Sequence, residues 1–367
     1  MPETSPSPVG SRVRTTRHGA ARFEDWLHDV RERFARRRGH VPTVVPYTGY
    51  GSTEWVRILC RVLLSKPPKP ARRGATTRRR RTREQGIRGW RSFTSVPVGD
   101  VPVVIEVGGQ RIEVLADRGG VVDTKVPVTL DPGWHVATLR AEGSEPVEAP
   151  VHVIDPAATF GIISDVDDTV MVTALPRPLV AAWNTFVLDE HARIPTPGMA
   201  VLFDRLVRAH PGAPVIYLST GAWNVAPALT RFLSRNLFPA GPLLLTDWGP
   251  THDRWFRSGR AHKQENLRRL AEEFPAMRWL LIGDDGQHDE DLYARFAEEH
   301  PDRVAAVAIR RLSTGEAVLA GGRTKQEEHP GAVPWVSAGD GSTLADRLAE
   351  EGIMGGRPAG GAAAADA

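Results

Sequence analysis

Short apolar runs alternate with amphipathic segments through the second half of the chain. The apolar runs are FGIIS, PVIYLS, LLLTD, WLLIG and VAAVAI, all within residues 160–309. The segments between them, such as GMAVLFDRLVRAH, place apolar residues at helical spacing. Continuous apolar strands separated by helices are typical of a parallel sheet that is buried on both faces. The pattern therefore predicts an α/β domain over residues 156–353, with a parallel sheet and helices on both of its faces.

Polar side chains follow the predicted strands. In parallel sheets, ligands bind beyond the carboxyl ends of the strands, so these residues are the candidates for chemistry. They comprise carboxylates, hydroxyls and an amine: Asp165, Asp167, Asp168, Thr169, Ser219, Thr220, Lys263, Asp284, Asp285 and Asp289.

The stretch SDVDDTV places three carboxylates within four positions at the end of an apolar strand. Like charges raise each other's pKa and burial raises it further, so the arrangement costs stability unless a cation offsets it. This cost indicates a metal site. Taken alone, Asp165 is also typical of a helix N-cap and Lys263 of a solvated helix face. We expect Asp168 and Asp285 to be capping or solvated residues, and the histidine spacing disfavours zinc.

The front half of the chain has a different hydrophobic pattern. Short alternating strands punctuated by Gly, Pro and Asp, at roughly ten-residue spacing, predict a small β-rich, sandwich-like domain over residues 41–155. An Arg-rich loop over residues 66–91 interrupts it. Residues 1–40 are predicted to be a basic, partly disordered region with one helix, and the Ala- and Gly-rich residues 354–367 a disordered tail.

Charge is distributed unevenly along the chain. The first 100 residues contain 22 Lys and Arg against 8 Asp and Glu, whereas the remainder contains 25 against 36. This asymmetry indicates attraction to an anionic membrane surface or to nucleic acid, or else a solvated tail. The loop lacks interleaved aromatic residues, which disfavours nucleic acid. The sequence shows no signal peptide and no transmembrane stretch, and Cys60 is its single cysteine. We therefore expect a cytoplasmic protein. A peripheral position at the inner membrane surface is the alternative.

The residues at the strand ends resemble the haloacid dehalogenase superfamily. Its phosphatases carry a D-x-D-x-T loop, a strand that ends in Ser or Thr, a lysine and an acidic G-D loop. Within it, SDVDDTV, YLSTGAWN, LLLTDWG, HKQENL and LLIGDDGQHDEDLYARF resemble the App1-type phosphatidate phosphatase family, which is related to the lipin catalytic domain. The resemblance covers roughly residues 40–353 and implies a haloacid dehalogenase-like Rossmannoid sheet. STGAW departs from the family pattern and leaves the choice between Ser219 and Thr220 open.

The resemblance implies a role for each candidate residue. Asp165 would be the nucleophile that forms an aspartyl phosphate, and Asp167 the general acid and base. Ser219 and Lys263 would stabilise the phosphoryl group. The implied Mg²⁺ ligands are Asp165, the backbone carbonyl of Asp167 and Asp284, and Asp289 would contribute through water or as an outer residue. The implied substrate-binding residues are Thr169, Thr220 and Gly221. Thr169 would also hold the loop by a side-chain hydrogen bond to the backbone.

The leading hypothesis is a Mg²⁺-dependent phosphatase that converts phosphatidate to diacylglycerol. One alternative is the same chemistry on a soluble phosphomonoester, and another is a non-catalytic phospholipid-binding module. Four tryptophans in loops near the predicted site could line a pocket for acyl chains or pack in the core: Trp183, Trp223, Trp248 and Trp255.

Overall fold

The apolar runs after residue 160 form one six-stranded sheet. The computed structural model describes residues 30–66, 96–172, 194–246, 252–286, 289–319 and 333–354. The strands of the sheet are β10 (Phe160–Asp165), β13 (Val215–Ala222), β14 (Leu243–Thr246), β15 (Arg278–Asp284), β16 (Val304–Arg310) and β17 (Trp335–Ala338). Every pair in it is parallel, in the order β14-β13-β10-β15-β16-β17. Two short strands between β10 and β13 in the chain, β11 (Met171–Val172) and β12 (Ile194–Pro195), form a separate antiparallel pair. The predicted mixed α/β architecture is confirmed.

The strand order places a switch point at the centre of this sheet. From β10 the chain adds β13 and β14 on one side, then returns to add β15, β16 and β17 on the other. Crevices for ligands form where the strand order reverses in this way, beyond the carboxyl ends of the two central strands. Here those ends carry Asp165 and Asp284.

Helices connect and flank these strands. They are α1 (residues 30–37), α2 (Met199–Ala209), α3 (Ala226–Arg235), α4 (His252–Glu273), α5 (Asp289–Glu299), α6 (Thr314–Leu319) and α7 (Gly341–Glu350). Helix α7 packs against α2, while α4 packs against α5. No helix among the described residues is long and apolar enough to cross a membrane.

The front half forms a second, larger sheet. Its strands are β1 (Val41–Pro46), β2 (Gly49–Ser52), β3 (Trp55–Ser65), β4 (Val96–Pro97), β5 (Pro102–Val107), β6 (Gln110–Leu115), β7 (Val121–Pro127), β8 (Gly133–Ala141) and β9 (Val147–Val153). The predicted β-rich character is seen, whereas the sandwich arrangement stays a prediction. The predicted N-terminal disordered segment, almost all of the Arg-rich loop and the C-terminal tail lie outside the described residues.

Strand β3 belongs to two hydrophobic cores at once. Its residues alternate between the faces of the sheet. Ile58 and Val62 lie in the core of the β-rich half, whereas Leu59 and Leu63 lie in the core that also contains the six-stranded sheet. This double burial is the reason that β3 is almost continuously apolar over 11 residues.

Polar and aromatic contacts also join the two halves of the chain at the C-terminal end of α4. Glu273, the last residue of α4, accepts hydrogen bonds from the Tyr50 hydroxyl at 2.9 Å and from Arg57 at 2.5 Å. The Phe274 ring packs at an angle against the Trp55 ring, with 5.6 Å between centroids. The β-rich half is therefore attached to the α/β half by both polar and apolar contacts.

Close packing at the start of β10 leaves no room for a side chain at Gly161. A Cβ atom at Gly161 would lie 2.4 Å from Trp279 Cζ3 and 3.2 Å from Pro214 Cγ. Trp279 is fully buried, so the ring cannot move aside freely. We expect Gly161→Ala to lower the free energy of unfolding by about 1 to 3 kcal/mol, as measured by urea denaturation.

Gly315 provides the matched control, because a Cβ atom there meets nothing within 4 Å. Gly315→Ala lies in α6 and should be neutral or stabilising by up to about 1 kcal/mol. Equal effects of the two substitutions would contradict the packing account.

Candidate active site

Three buried carboxylates converge at the carboxyl edge of the six-stranded sheet. Asp165 ends β10, Asp284 ends β15, and Asp289 begins α5. One carboxylate oxygen from each lies within 4.8 Å of the others. Gly283 permits this approach, because a Cβ atom there would lie 2.9 Å from the Asp289 carboxylate.

Lys263 supplies a buried positive charge to this cluster. Its ammonium lies 2.6 Å from Asp165 Oδ1 and 2.6 Å from Asp289 Oδ1. Burial alone would lower the pKa of Lys263, but the two carboxylates outweigh burial and raise that pKa well above its ordinary value. Lys263 is therefore charged, and it partly neutralises the cluster.

One ammonium does not balance three carboxylates. Burial, with the neighbouring acids, raises the pKa values of Asp165 and Asp284 well above the ordinary value. Among the described residues, Asp284 Oδ2 and Asp289 Oδ2 are buried and have no hydrogen-bond partner. An all-oxygen set with unpaired buried oxygens and excess negative charge fits a divalent cation of the Mg²⁺ type.

Asp167 and Ser219 form a second unit beside the cluster. The Ser219 hydroxyl donates to Asp167 Oδ2 at 2.9 Å and accepts from the Gly221 backbone N–H at 2.9 Å. Burial raises the pKa of Asp167 to about 7, although the Ser219 hydrogen bond opposes the rise. No described residue pairs with Asp167 Oδ1. Asp167 can thus exchange a proton near neutral pH.

The two candidate hydroxyls, Ser219 and Thr220 in the last half of β13, have different surroundings. Ser219 is fully buried and contacts Asp167, as described above. The Thr220 methyl group lies against α4, since a Cβ atom at Gly259 would be 2.9 Å from it. The backbone carbonyls of Thr220 and Gly221 accept hydrogen bonds from the Thr246 hydroxyl at 2.9 and 3.2 Å. Of the two hydroxyls, Ser219 is thus the one that the structure joins to Asp167.

Thr169 corrects one expectation about the loop after β10. Its hydroxyl is buried and has no hydrogen-bond partner among the described residues, so the predicted side-chain bond to the backbone is absent there. Backbone bonds hold the loop instead, because the Val170 and Met171 N–H groups both donate to the Val166 carbonyl at 3.1 Å.

The tryptophans are only partly described. Trp223 is buried and stacks on Tyr47, with ring centroids 4.6 Å apart, and the Tyr47 hydroxyl donates to the Trp223 carbonyl at 3.1 Å. Trp223 therefore packs at the junction with the β-rich half. Trp183, Trp248 and the Trp255 side chain lie outside the described parts of the chain.

Two residues near the site were not selected from the sequence. Tyr47 precedes β2, and the tertiary structure brings it against Trp223 in the segment that follows Ser219. Arg310 ends β16 and is buried beside the loop after β10. An arginine that directly follows an apolar run, as in VAAVAIRRL, was the available signal for Arg310.

Comparison with known proteins agrees with this site. Residues 160–311 match the family model described as the phosphatidate phosphatase APP1 catalytic domain. The phosphatidate phosphatase APP1 of Saccharomyces cerevisiae is 26% identical over 197 residues, which cover 52% of this chain and 31% of the yeast protein. An uncharacterized protein of Schizosaccharomyces pombe is 28% identical over 160 residues, which cover 41% of this chain and 25% of that protein. The chain thus spans about a third or less of each curated relative.

Solved structures resemble this chain only distantly. A carbohydrate acetylesterase from Xanthomonas citri has 11% identity and a TM-score of 0.27, covering 77% of this chain and 73% of its own. A structure of PhoD has 10% identity and a TM-score of 0.31, covering 73% of this chain and 70% of its own.

Residues 160–311 therefore resemble a phosphatidate phosphatase-like catalytic domain. More specifically, this region is App1-like, and the resemblance predicted from its strand-end residues is confirmed there.

The raised pKa of Asp167 predicts a dependence of stability on pH. A carboxyl with a raised pKa holds its proton more tightly in the folded than in the unfolded chain, so it lowers stability as pH rises from about 4 to about 7. The Asp167→Asn variant lacks this carboxyl, so in EDTA it should gain stability relative to the wild type as pH rises from about 4 to about 7. The difference in free energy of unfolding, variant minus wild type, should increase by about 1 to 4 kcal/mol over that range. Urea denaturation at several pH values measures it.

Asp302→Asn is the control for this experiment, because Asp302 is exposed on the turn before β16. Its difference from the wild type should show no such rise. A pH-independent difference for Asp167→Asn would contradict the assignment of a raised pKa.

Proposed function

We propose that this chain is a Mg²⁺-dependent phosphatase that hydrolyses phosphatidate to diacylglycerol and inorganic phosphate. The observation that carries the proposal is the buried pairing of Asp165 with Lys263, beside the Asp167–Ser219 unit. We further propose that residues 156–353 are a haloacid dehalogenase-like domain, since the switch-point sheet and the order of its strand-end residues are those of that fold. Residues 41–155 would be a separate β-rich domain attached through β3.

The first step in the proposed reaction is nucleophilic attack. An Asp165 carboxylate oxygen forms a bond to phosphorus, and the bond from phosphorus to the glycerol oxygen breaks. Asp167 donates its proton to the departing alkoxide, which leaves as the diacylglycerol hydroxyl. A carboxyl with a pKa of about 7 is partly protonated at neutral pH, as this role requires.

The second step regenerates Asp165. Asp167, now ionised, takes a proton from a water molecule, whose oxygen bonds to phosphorus while the bond to Asp165 breaks. Inorganic phosphate is released and Asp167 is protonated again. The Ser219 hydroxyl would donate to a phosphoryl oxygen, and the Lys263 ammonium would offset the negative charge of the phosphoryl group. Thr169, Thr220 and Gly221 are proposed to contact the substrate.

Asp165, Asp284 and Asp289, with the Asp167 backbone carbonyl, would hold the Mg²⁺ ion. When bound, Mg²⁺ supplies positive charge that lets a phosphate dianion approach a carboxylate. The unpaired Asp289 Oδ2 leaves Asp289 free to serve as a direct ligand or through water.

A lipid substrate is supported by the family match and by the basic front of the chain. The excess of Lys and Arg in the first 100 residues would attract an anionic bilayer, with about 1 kcal/mol per residue near the surface at low salt. We therefore propose a cytoplasmic protein that binds the inner membrane surface peripherally.

A substrate comparison tests the proposed activity. We expect Mg²⁺-dependent phosphate release from phosphatidate in phosphatidylcholine vesicles to exceed release from sugar phosphates and p-nitrophenyl phosphate. Asp165→Asn should lower kcat at least about 10³-fold, because it removes the nucleophile. Asp302→Asn, a charge-matched control on the exposed turn before β16, should retain activity.

Each other result favours an alternative. Turnover of soluble esters alone would exclude the lipid assignment and favour a soluble phosphomonoester. Vesicle binding without turnover would favour a non-catalytic phospholipid-binding module. Full activity in Asp165→Asn would exclude the aspartyl-phosphate mechanism.

Metal binding should be visible in stability. Mg²⁺ at 100 times its Kd should raise the free energy of unfolding by about 2.7 kcal/mol, with a matching rise in Tm. Asp284→Asn should abolish the rise, and in EDTA it should be more stable than the wild type because one buried charge is gone. Differential scanning calorimetry measures both effects. A wild-type Tm that is unchanged by millimolar Mg²⁺ would contradict the metal site.

A further inference from the structure

Arg310 is a buried arginine whose guanidinium joins two separate elements. Nη1 donates to the backbone carbonyl of Asp168 at 2.6 Å, in the loop after β10. Nη2 donates to Glu316 Oε1 on α6 at 2.6 Å. The Arg310 side chain is 4% exposed and its hydrogen bond to the Asp168 carbonyl is buried, whereas the Glu316 side chain is 21% exposed. The buried bond is stronger than a surface pair.

The backbone of Arg310 is tied to the other acidic loop. The Asp285 N–H donates to the Arg310 carbonyl at 3.1 Å. Asp285 Oδ1 in turn accepts from the Leu312 N–H at 2.8 Å, two residues beyond Arg310. Arg310 therefore touches the loop that carries Asp165 through its side chain, and the loop that carries Asp284 through its main chain.

The residue that Arg310 contacts has a strained backbone. Asp168 has a φ of 58°, in the left-handed region that residues other than glycine rarely adopt. Its N–H donates to the Met171 carbonyl at 2.8 Å, while its carbonyl points to Arg310. This conformation turns the chain directly after Asp167.

We propose that Arg310 is a positioning residue that sets the separation between the loops that directly follow Asp165 and Asp284, and thereby the affinity for the divalent cation. The inference rests on the proposed function, because it takes the carboxylate cluster as the metal site. Arg310 does not touch the reacting atoms. It acts through the Asp168 carbonyl on one side and through Asp285 on the other.

Arginine is required for this role rather than positive charge alone. The planar guanidinium presents two donors in a fixed fork, which bonds the Asp168 carbonyl and Glu316 together. A lysine ammonium keeps the charge but is a single point on a flexible stem. Glu316 is held in place as well, since its Oε2 accepts from the Ser313 N–H at 2.8 Å.

The test compares Arg310→Lys with Arg311→Lys, its exposed neighbour, which contacts Ser337 away from both loops. The readouts are the Mg²⁺ concentration that gives half of the maximal thermal stabilisation, and kcat and KM for phosphatidate vesicles. In Arg310→Lys we expect the Mg²⁺ midpoint to rise about 10-fold or more and kcat to fall, with KM within about 2-fold of the wild type. Arg311→Lys should match the wild type.

Glu316→Gln provides a second variant if Arg310→Lys does not fold. It keeps the shape of the side chain and should raise the Mg²⁺ midpoint in the same direction by a smaller factor. A merely structural role would lower the Tm in EDTA and leave the Mg²⁺ midpoint unchanged.

The outcomes separate this proposal from the proposed function. If the wild type hydrolyses phosphatidate and binds Mg²⁺ but both Arg310→Lys and Glu316→Gln keep the wild-type midpoint, the positioning role is wrong and the function stands. If the wild type shows no Mg²⁺ stabilisation, the metal site fails and the positioning role fails with it.

Discussion

Buried negative charge at the carboxyl edge of the sheet is the constraint on which this structure depends. Asp165, Asp284 and Asp289 are removed from water, and within the described parts of the chain the buried ammonium of Lys263 contacts two of them, Asp165 and Asp289. Like charges this close repel strongly where the effective dielectric constant is low. The fold tolerates the cluster because the strands beneath are fully buried and rigidly paired. The remaining negative charge makes the site suited to a cation.

The β-rich half is in direct contact with the half that carries the site. Strand β3 contributes alternate residues to both hydrophobic cores, and Glu273 at the end of α4 binds Tyr50 and Arg57. Tyr47 also packs on Trp223, four residues beyond Ser219. A change in the β-rich half can therefore reach the segment after β13 through direct contacts, without any intermediate element.

Periodicity predicted the elements whose burial is uniform. The five strands β10, β13, β14, β15 and β16 are continuous apolar runs, because a parallel sheet buries both faces. The last strand, β17, and helix α7 were missed, since four residues containing Ser carry too little periodicity to distinguish a strand from a loop. In β3, Arg57 and Arg61 interrupt the apolar pattern, and only their tertiary partners explain why their side chains are largely buried.

The sequence by itself determined the chemistry of the site, because the type and order of the strand-end residues limit it to carboxylate, hydroxyl and ammonium groups at one edge of a sheet. Tertiary structure alone decided how these groups are paired. Lys263 lies between Asp165 and Asp289, Ser219 binds Asp167, and Arg310 reaches the Asp168 carbonyl. Distances between residues far apart in the chain are set by strand order and side-chain packing, and no local pattern encodes either of them.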